Sequence, residues 1–87
     1  MRLHELAVGE GAIVKRVLEE SRLKQRLVDV GMVPGTKVVC VLESPGKDPK
    51  AYEVKGALLA IREEDAQFVE VERIVKEDGG RQNGRGD

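Results

Sequence analysis

Only a few residues of this chain have the chemistry for a site. His4 is the single histidine and Cys40 the single cysteine of 87 residues. A tight metal site needs three or four ligands of matched softness, and His4 with neighbouring Glu5 and Glu10 falls short of that. His4 is therefore expected as a solvated surface side chain. Cys40 lies mid-run in Val38-Val39-Cys40-Val41-Leu42 and reads as a small buried hydrophobe. One histidine also leaves little general-base chemistry near neutral pH, and no Ser-His-Asp or Cys-His pattern is present. The carboxylate run Glu63-Glu64-Asp65 reads as first-turn charges of a short helix, where the helix dipole favours them. Gly9-Glu10-Gly11 lacks the Gly-x-x-x-x-Gly-Lys spacing that cradles phosphate and reads as a turn before a strand. No catalytic residue, cofactor or specific metal site is expected. Arg85-Gly86-Asp87 spells an adhesion tripeptide, read here as coincidence within a polar tail.

Charge and composition narrow the ligand class further. Fifteen basic residues against sixteen acidic ones give a formal net charge of −1, without the basic excess that phosphate recognition needs. The nearest approach to a basic stripe, Arg22-Leu23-Lys24-Gln25-Arg26, reads as a solvated helix face. Tyr52 and Phe68 are the only aromatics, so no stacking platform exists for single-stranded nucleic acid. These two observations exclude nucleic acid as the expected partner. No apolar stretch approaches the ~20 residues of a membrane-spanning helix. The start, Met1 to Leu6, shows no signal-peptide core. The expected location is cytoplasmic, which the single cysteine also suits.

The elements that must carry these residues follow from periodicity. Leu3 and Leu6 suit one short helical turn. Ala12 to Leu18 is dense in β-branched residues and predicts a first strand. Ser21 is a candidate helix cap, and Leu23, Leu27 and Val30 then form an apolar stripe at spacings of four and three. Gly31 closes that helix and Pro34-Gly35 fills the central positions of a type II turn. Thr36 to Glu43 is a second strand with Val38, Cys40 and Leu42 on one face. Ala51 to Lys55 is a third, with Tyr52 and Val54 inward. Gly56 permits a sharp bend, and Ala57 to Ile61 reads as a fourth, largely buried strand. Residues 62–66 suggest one helical turn, and Phe68 to Ile74 a fifth strand with Val69 and Val71 inward. The domain is expected over residues 1–75. Residues 76–87 lack apolar side chains beyond the strand end and are expected to be disordered. Five strands and one helix in 9.6 kDa predict a mainly β fold, a small β-barrel.

The order of elements and the residues at their joints resemble the FeoA family, a small component of bacterial ferrous iron uptake. The resemblance rests on Leu3, Leu6, Gly11, the Leu27…Gly31-Met32-x-Pro34-Gly35 junction, Asp48-Pro49, the strand from Ala57 to Arg62, and Glu64-x-Ala66 before Val69-Glu70-Val71. It covers about residues 3 to 74. It implies an SH3-like β-barrel with one α-helix inserted after the first strand, no catalytic residues, and a partner of the FeoB type, a membrane GTPase and ferrous iron transporter. The loop Gly46-Lys47-Asp48-Pro49 is one residue longer than the family's usual Gly-Asp-Pro. The barrel also resembles the C-terminal domain of iron-dependent transcriptional repressors, so a free-standing metal-responsive domain is the alternative function.

Met32 and Val33 sit between helix end and turn. Two readings stay open: they line an apolar groove between helix and barrel, or they pad one against the other. In the groove reading the partner surface comprises Arg22, Leu23, Arg26, Met32 and Val33, held by the turn residues Gly31, Pro34 and Gly35. A homo-oligomer contact is a further reading of the same pair.

Overall fold

The computed structural model describes residues 1–18 and 22–74, the side chains of Arg22 and Leu23 excepted. A 3₁₀ turn at Leu3–Glu5 leads into β1 (Gly11–Val17), α1 (Arg22–Asp29), β2 (Lys37–Glu43), β3 (Lys50–Val54), β4 (Ala57–Ile61), the one-turn α2 (Glu63–Ala66) and β5 (Val69–Arg73). All five strands join one antiparallel sheet in the order β4-β3-β2-β1-β5. The mainly β class, the strand count and the helix after the first strand match the expectation. Ser21 and the polar tail lie outside the described residues, so the expected cap and disorder do too.

The core is aliphatic, as near-absence of aromatics requires, with Tyr52 its one large ring. Leu3, Leu6, Val38, Cys40, Val69 and Ala66 are fully buried. The alternations at Tyr52/Val54 and Val69/Val71 point inward as read from the sequence. No polar or charged residue is buried among the described residues, so ion pairs play no part in the core. The pairs Lys15–Glu72 (3.2 Å) and Arg16–Glu70 (3.0 Å) lie on the surface; such exposed pairs contribute ~0–1 kcal/mol each.

Two expectations about apolar faces are corrected. Leu42 does not share the inward face of Val38 and Cys40, but is 59% exposed. The cause is a register shift between Cys40 and Leu42 in the β2–β3 pairing, which places Cys40 opposite Tyr52 and Leu42 opposite Ala51. Val41 is the extra residue of a bulge, and everything beyond it turns over. β4 is likewise not largely buried. Only Ile61 is buried and Leu59 packs on the core, while Ala57, Leu58 and Ala60 are exposed. Among the described residues β4 stands at the end of the sheet with no strand beyond it.

Candidate functional site

The junction after α1 forms by local chemistry alone. Met32 N–H donates to the Leu27 carbonyl (2.9 Å) and Gly31 N–H to that of Val28 (3.0 Å). These are the paired bonds of a Schellman cap, with Gly31 at the left-handed position, φ 110°. A Cβ at Gly31 would stand 3.1 Å from Val54 Cγ1, so both backbone and space ask for glycine. Thr36 N–H then donates to the Val33 carbonyl (3.1 Å) across Pro34-Gly35, with Gly35 at φ 92°. That is the expected type II turn. Gly35 N–H donates to the Val14 carbonyl and Val14 N–H to that of Thr36, both at 2.8 Å. The turn that follows α1 is thus sewn to β1.

Met32 leaves the proposed surface. It is fully buried, as is the neighbouring Leu27 within a few percent. This is the hydrophobic contact that accompanies a Schellman cap, between the residue after the glycine and the last turn of the helix. Of the two open readings, padding holds for Met32. Val33 is half-buried, and Arg26 is exposed on α1. The side chains of Arg22 and Leu23 fall outside the described residues.

An apolar groove between helix and sheet does exist, but on the β4 side of α1. It has a volume of about 450 Å³ and is lined by Arg26, Leu27 and Asp29 of α1, by Val30 just after it, by Leu58 to Ile61 of β4, and by Asp65. Val33 stands outside it. Val30, placed by its spacing on the inward stripe, is 44% exposed on the groove wall. Sequence reasoning missed Val30 and Leu58 because an apolar run carries no mark of whether a further element covers it. The free-edge position of β4, which is what exposes Leu58, is a property of the whole sheet.

The candidate metal ligands do not converge. Glu5 Oε1 accepts from the Arg2 N–H (2.6 Å), and Glu10 accepts from the Ala7 N–H (2.8 Å) and from Arg73 Nη1 (3.1 Å). These bonds, first the backbone one in each case, hold both carboxyls below the usual glutamate range. His4 is half-buried rather than solvated. Its Nδ1 is enclosed without a hydrogen-bond partner, beside a cleft of about 10 Å³ next to Asp48, Tyr52 and Glu63. That is room for about one water. Lys50 Nζ ties the same segment down through the carbonyls of His4 (2.7 Å) and Leu6 (2.9 Å). Burial pushes the Cys40 thiol and the Tyr52 hydroxyl up, so neither ionises readily. Among the described residues no three His, Cys, Asp or Glu side chains are placed to hold a metal ion. Nor is any helix among them long and apolar enough to cross a membrane.

Comparison with known proteins decides the family. A family model described as FeoA domain matches residues 1–73. The chain belongs to the FeoA family. A FeoA protein from Chlorobium tepidum, solved by NMR, superposes with a TM-score of 0.81 at 33% identity, covering 91% of this chain and 75% of that one. The FeoA of Stenotrophomonas maltophilia, described as a procaryotic SH3 domain protein complexed with zinc, gives 0.76 at 30% identity over 83% and 89% of the two chains. The fold is therefore SH3-like, as the resemblance implied. A Porphyromonas gingivalis protein, named as a fusion of Fe(2+) transport protein A with the Fe(2+) transporter FeoB, is 35% identical over 74 residues. Those residues are 85% of this chain but only 9% of the fusion protein.

Proposed function

We propose that this FeoA-family chain is a non-catalytic, cytoplasmic accessory component of bacterial ferrous iron uptake, which binds a FeoB-type transporter and modulates its GTPase or its assembly. The observation that carries this reading is the Porphyromonas gingivalis fusion, in which a FeoA-like segment and FeoB share one polypeptide. Two domains joined in one chain meet at high effective concentration, which suits a pair that acts together. The geometry agrees with a binding role. The molecule carries a partly apolar groove whose charged lining is Arg26, Asp29 and Asp65, while its cysteine is buried and its histidine half-buried. The partner surface in this reading comprises Arg22, Leu23 and Arg26 of α1, of which Arg26 is exposed, with Val33 at its margin; Met32 is buried in the core. The alternative, a metal-responsive domain, has no converging ligand set among the described residues to favour it.

The test is co-purification of the full chain with the detergent-solubilised FeoB-type transporter from the same source. The tagged chain is expected to retain the transporter. Arg26→Glu is expected to weaken retention by about tenfold or less, with the loss concentrated in association rate, as for a charge at an interface rim. Failure of the unaltered chain to retain the transporter contradicts the reading.

A further inference from the structure

The two ends of the sheet are treated differently. At β5 the N-terminal segment covers the edge. Met1 exchanges hydrogen bonds with Val71, its carbonyl accepting at 2.8 Å and its amine donating at 3.2 Å, and Arg2 bridges to Glu70. β5 also carries Glu70, Glu72 and Arg73. At β4 neither protection exists among the described residues. Ala57-Leu58-Leu59-Ala60-Ile61 contains no charge and no proline, the devices by which exposed edges are usually blunted.

The register shows which groups are free. β3 and β4 are joined by the two-residue turn Lys55-Gly56, both at positive φ, with Val54 opposite Ala57. In such a hairpin the flanking pair is hydrogen-bonded and alternate pairs follow it. Ala57, Leu59 and Ile61 therefore bond to β3, and the N–H and C=O of Leu58 and Ala60 face the open side. Apolar surface lies above and below this edge. On one side is the α1 groove, with Val30 on its wall. Leu58, 60% exposed, lies at the edge of that groove, and on the other side the ladder from Ala60 through Ala51 ends on Leu42, which is 59% exposed.

The geometry points to strand addition at β4: an extended, uncharged segment of the FeoB-type partner, with Val, Ile, Leu or Phe at every second position, hydrogen-bonds to Leu58 and Ala60 and sinks its alternate side chains into the α1 groove. This rests on the transporter-partner reading above and deepens it. Other occupants fit less well. The chain's own residues 77–87 contain no apolar side chain to fill the groove. A second copy pairing β4 to β4 would meet along five residues, ~17 Å of strand. That contact falls well short of the ~1,000 Å² a stable free-standing interface needs. A short edge of this kind suffices when the segment is delivered by a protein already bound or tethered nearby, the arrangement the fusion relative has in one polypeptide.

The experiment uses the full chain, isotope-labelled, with overlapping synthetic peptides that tile the cytoplasmic segments of the FeoB-type transporter, and reads amide hydrogen exchange. One apolar peptide is expected to slow exchange at Leu58 and Ala60 by about tenfold or more, a saturation effect of the new hydrogen bonds. Ala60→Pro removes an outward N–H, and Leu58→Lys adds an edge charge; each is expected to weaken that peptide by about tenfold or more. Leu58→Lys leaves every backbone bond in place, so it decides the matter should Ala60→Pro unfold. If the intact transporter binds but Leu58 and Ala60 exchange as in the free chain, strand addition is overturned while the partner reading stands. If the transporter itself does not bind, the partner reading falls. If both amides are protected without any peptide and the chain runs as a dimer, the occupant is a second copy and the proposal is wrong.

Discussion

At the scale of single residues, burial and backbone conformation separate what holds the fold from what meets a partner. Gly31 combines φ 110° with a Val54 methyl 3.1 Å from the site of a Cβ. Gly31→Ala is expected to destabilise the chain by at least about 1–2 kcal/mol, the ordinary cost of a left-handed residue, readable as a lowered urea midpoint at unchanged slope. Met32→Ala is expected to cost about 2–5 kcal/mol as a large-to-small change in the core. Leu58→Lys is expected to shift the stability of the free chain by only about 0.5 kcal/mol or less, being an exposed change. The order Met32 over Leu58 is the opposite of a scheme in which Met32 lines the groove. Glu10 yields a prediction in pH. Its carboxyl is lowered by the Ala7 N–H and by Arg73, so its contribution is present above the ordinary value of 4.5 and is lost as pH falls through the lowered one. Thermal unfolding followed across that acid range is expected to show a smaller acid-induced drop for Glu10→Gln than for the natural chain.

At the scale of elements, local chemistry was legible and long-range placement was not. The cap at Gly31 and the turn at Pro34-Gly35 could be read because each needs only its own residues: a glycine after an apolar stripe, and a proline that pre-sets φ beside a glycine that accepts φ above zero. The inward faces of β3 and β5 were legible from strict alternation. The outward turn of Leu42 was not, because the bulge at Val41 has no local signature among five consecutive apolar residues. β4 was misread for a related reason. An all-apolar run states that water is avoided, not which neighbour excludes it, and here no described element continues the sheet beyond β4. Val30, the residue just after α1, shows the same limit: its spacing from Leu27 continues one helix face, but that face extends past the core onto the groove wall.

At the scale of the whole molecule, the sheet has one end covered by the chain's own N-terminal segment and one left open, among the described residues, beside α1. The sequence motif at the helix end is thus a positioning device. It ties the end of α1 to β1 by backbone hydrogen bonds, and the groove lies between α1 and β4. On the proposed reading, the apolar β4 edge and the groove, whose charged lining is Arg26, Asp29 and Asp65, hold another polypeptide. The most direct measurement is a calorimetric titration of the full chain into the cytoplasmic GTP-binding part of the FeoB-type transporter, with and without a GTP analogue, alongside the intact transporter. Saturable one-to-one binding to either form, weakened by Arg26→Glu and by Leu58→Lys but not by removal of the tail after residue 76, is the predicted result. Absence of binding to both forms in both nucleotide states would contradict the account.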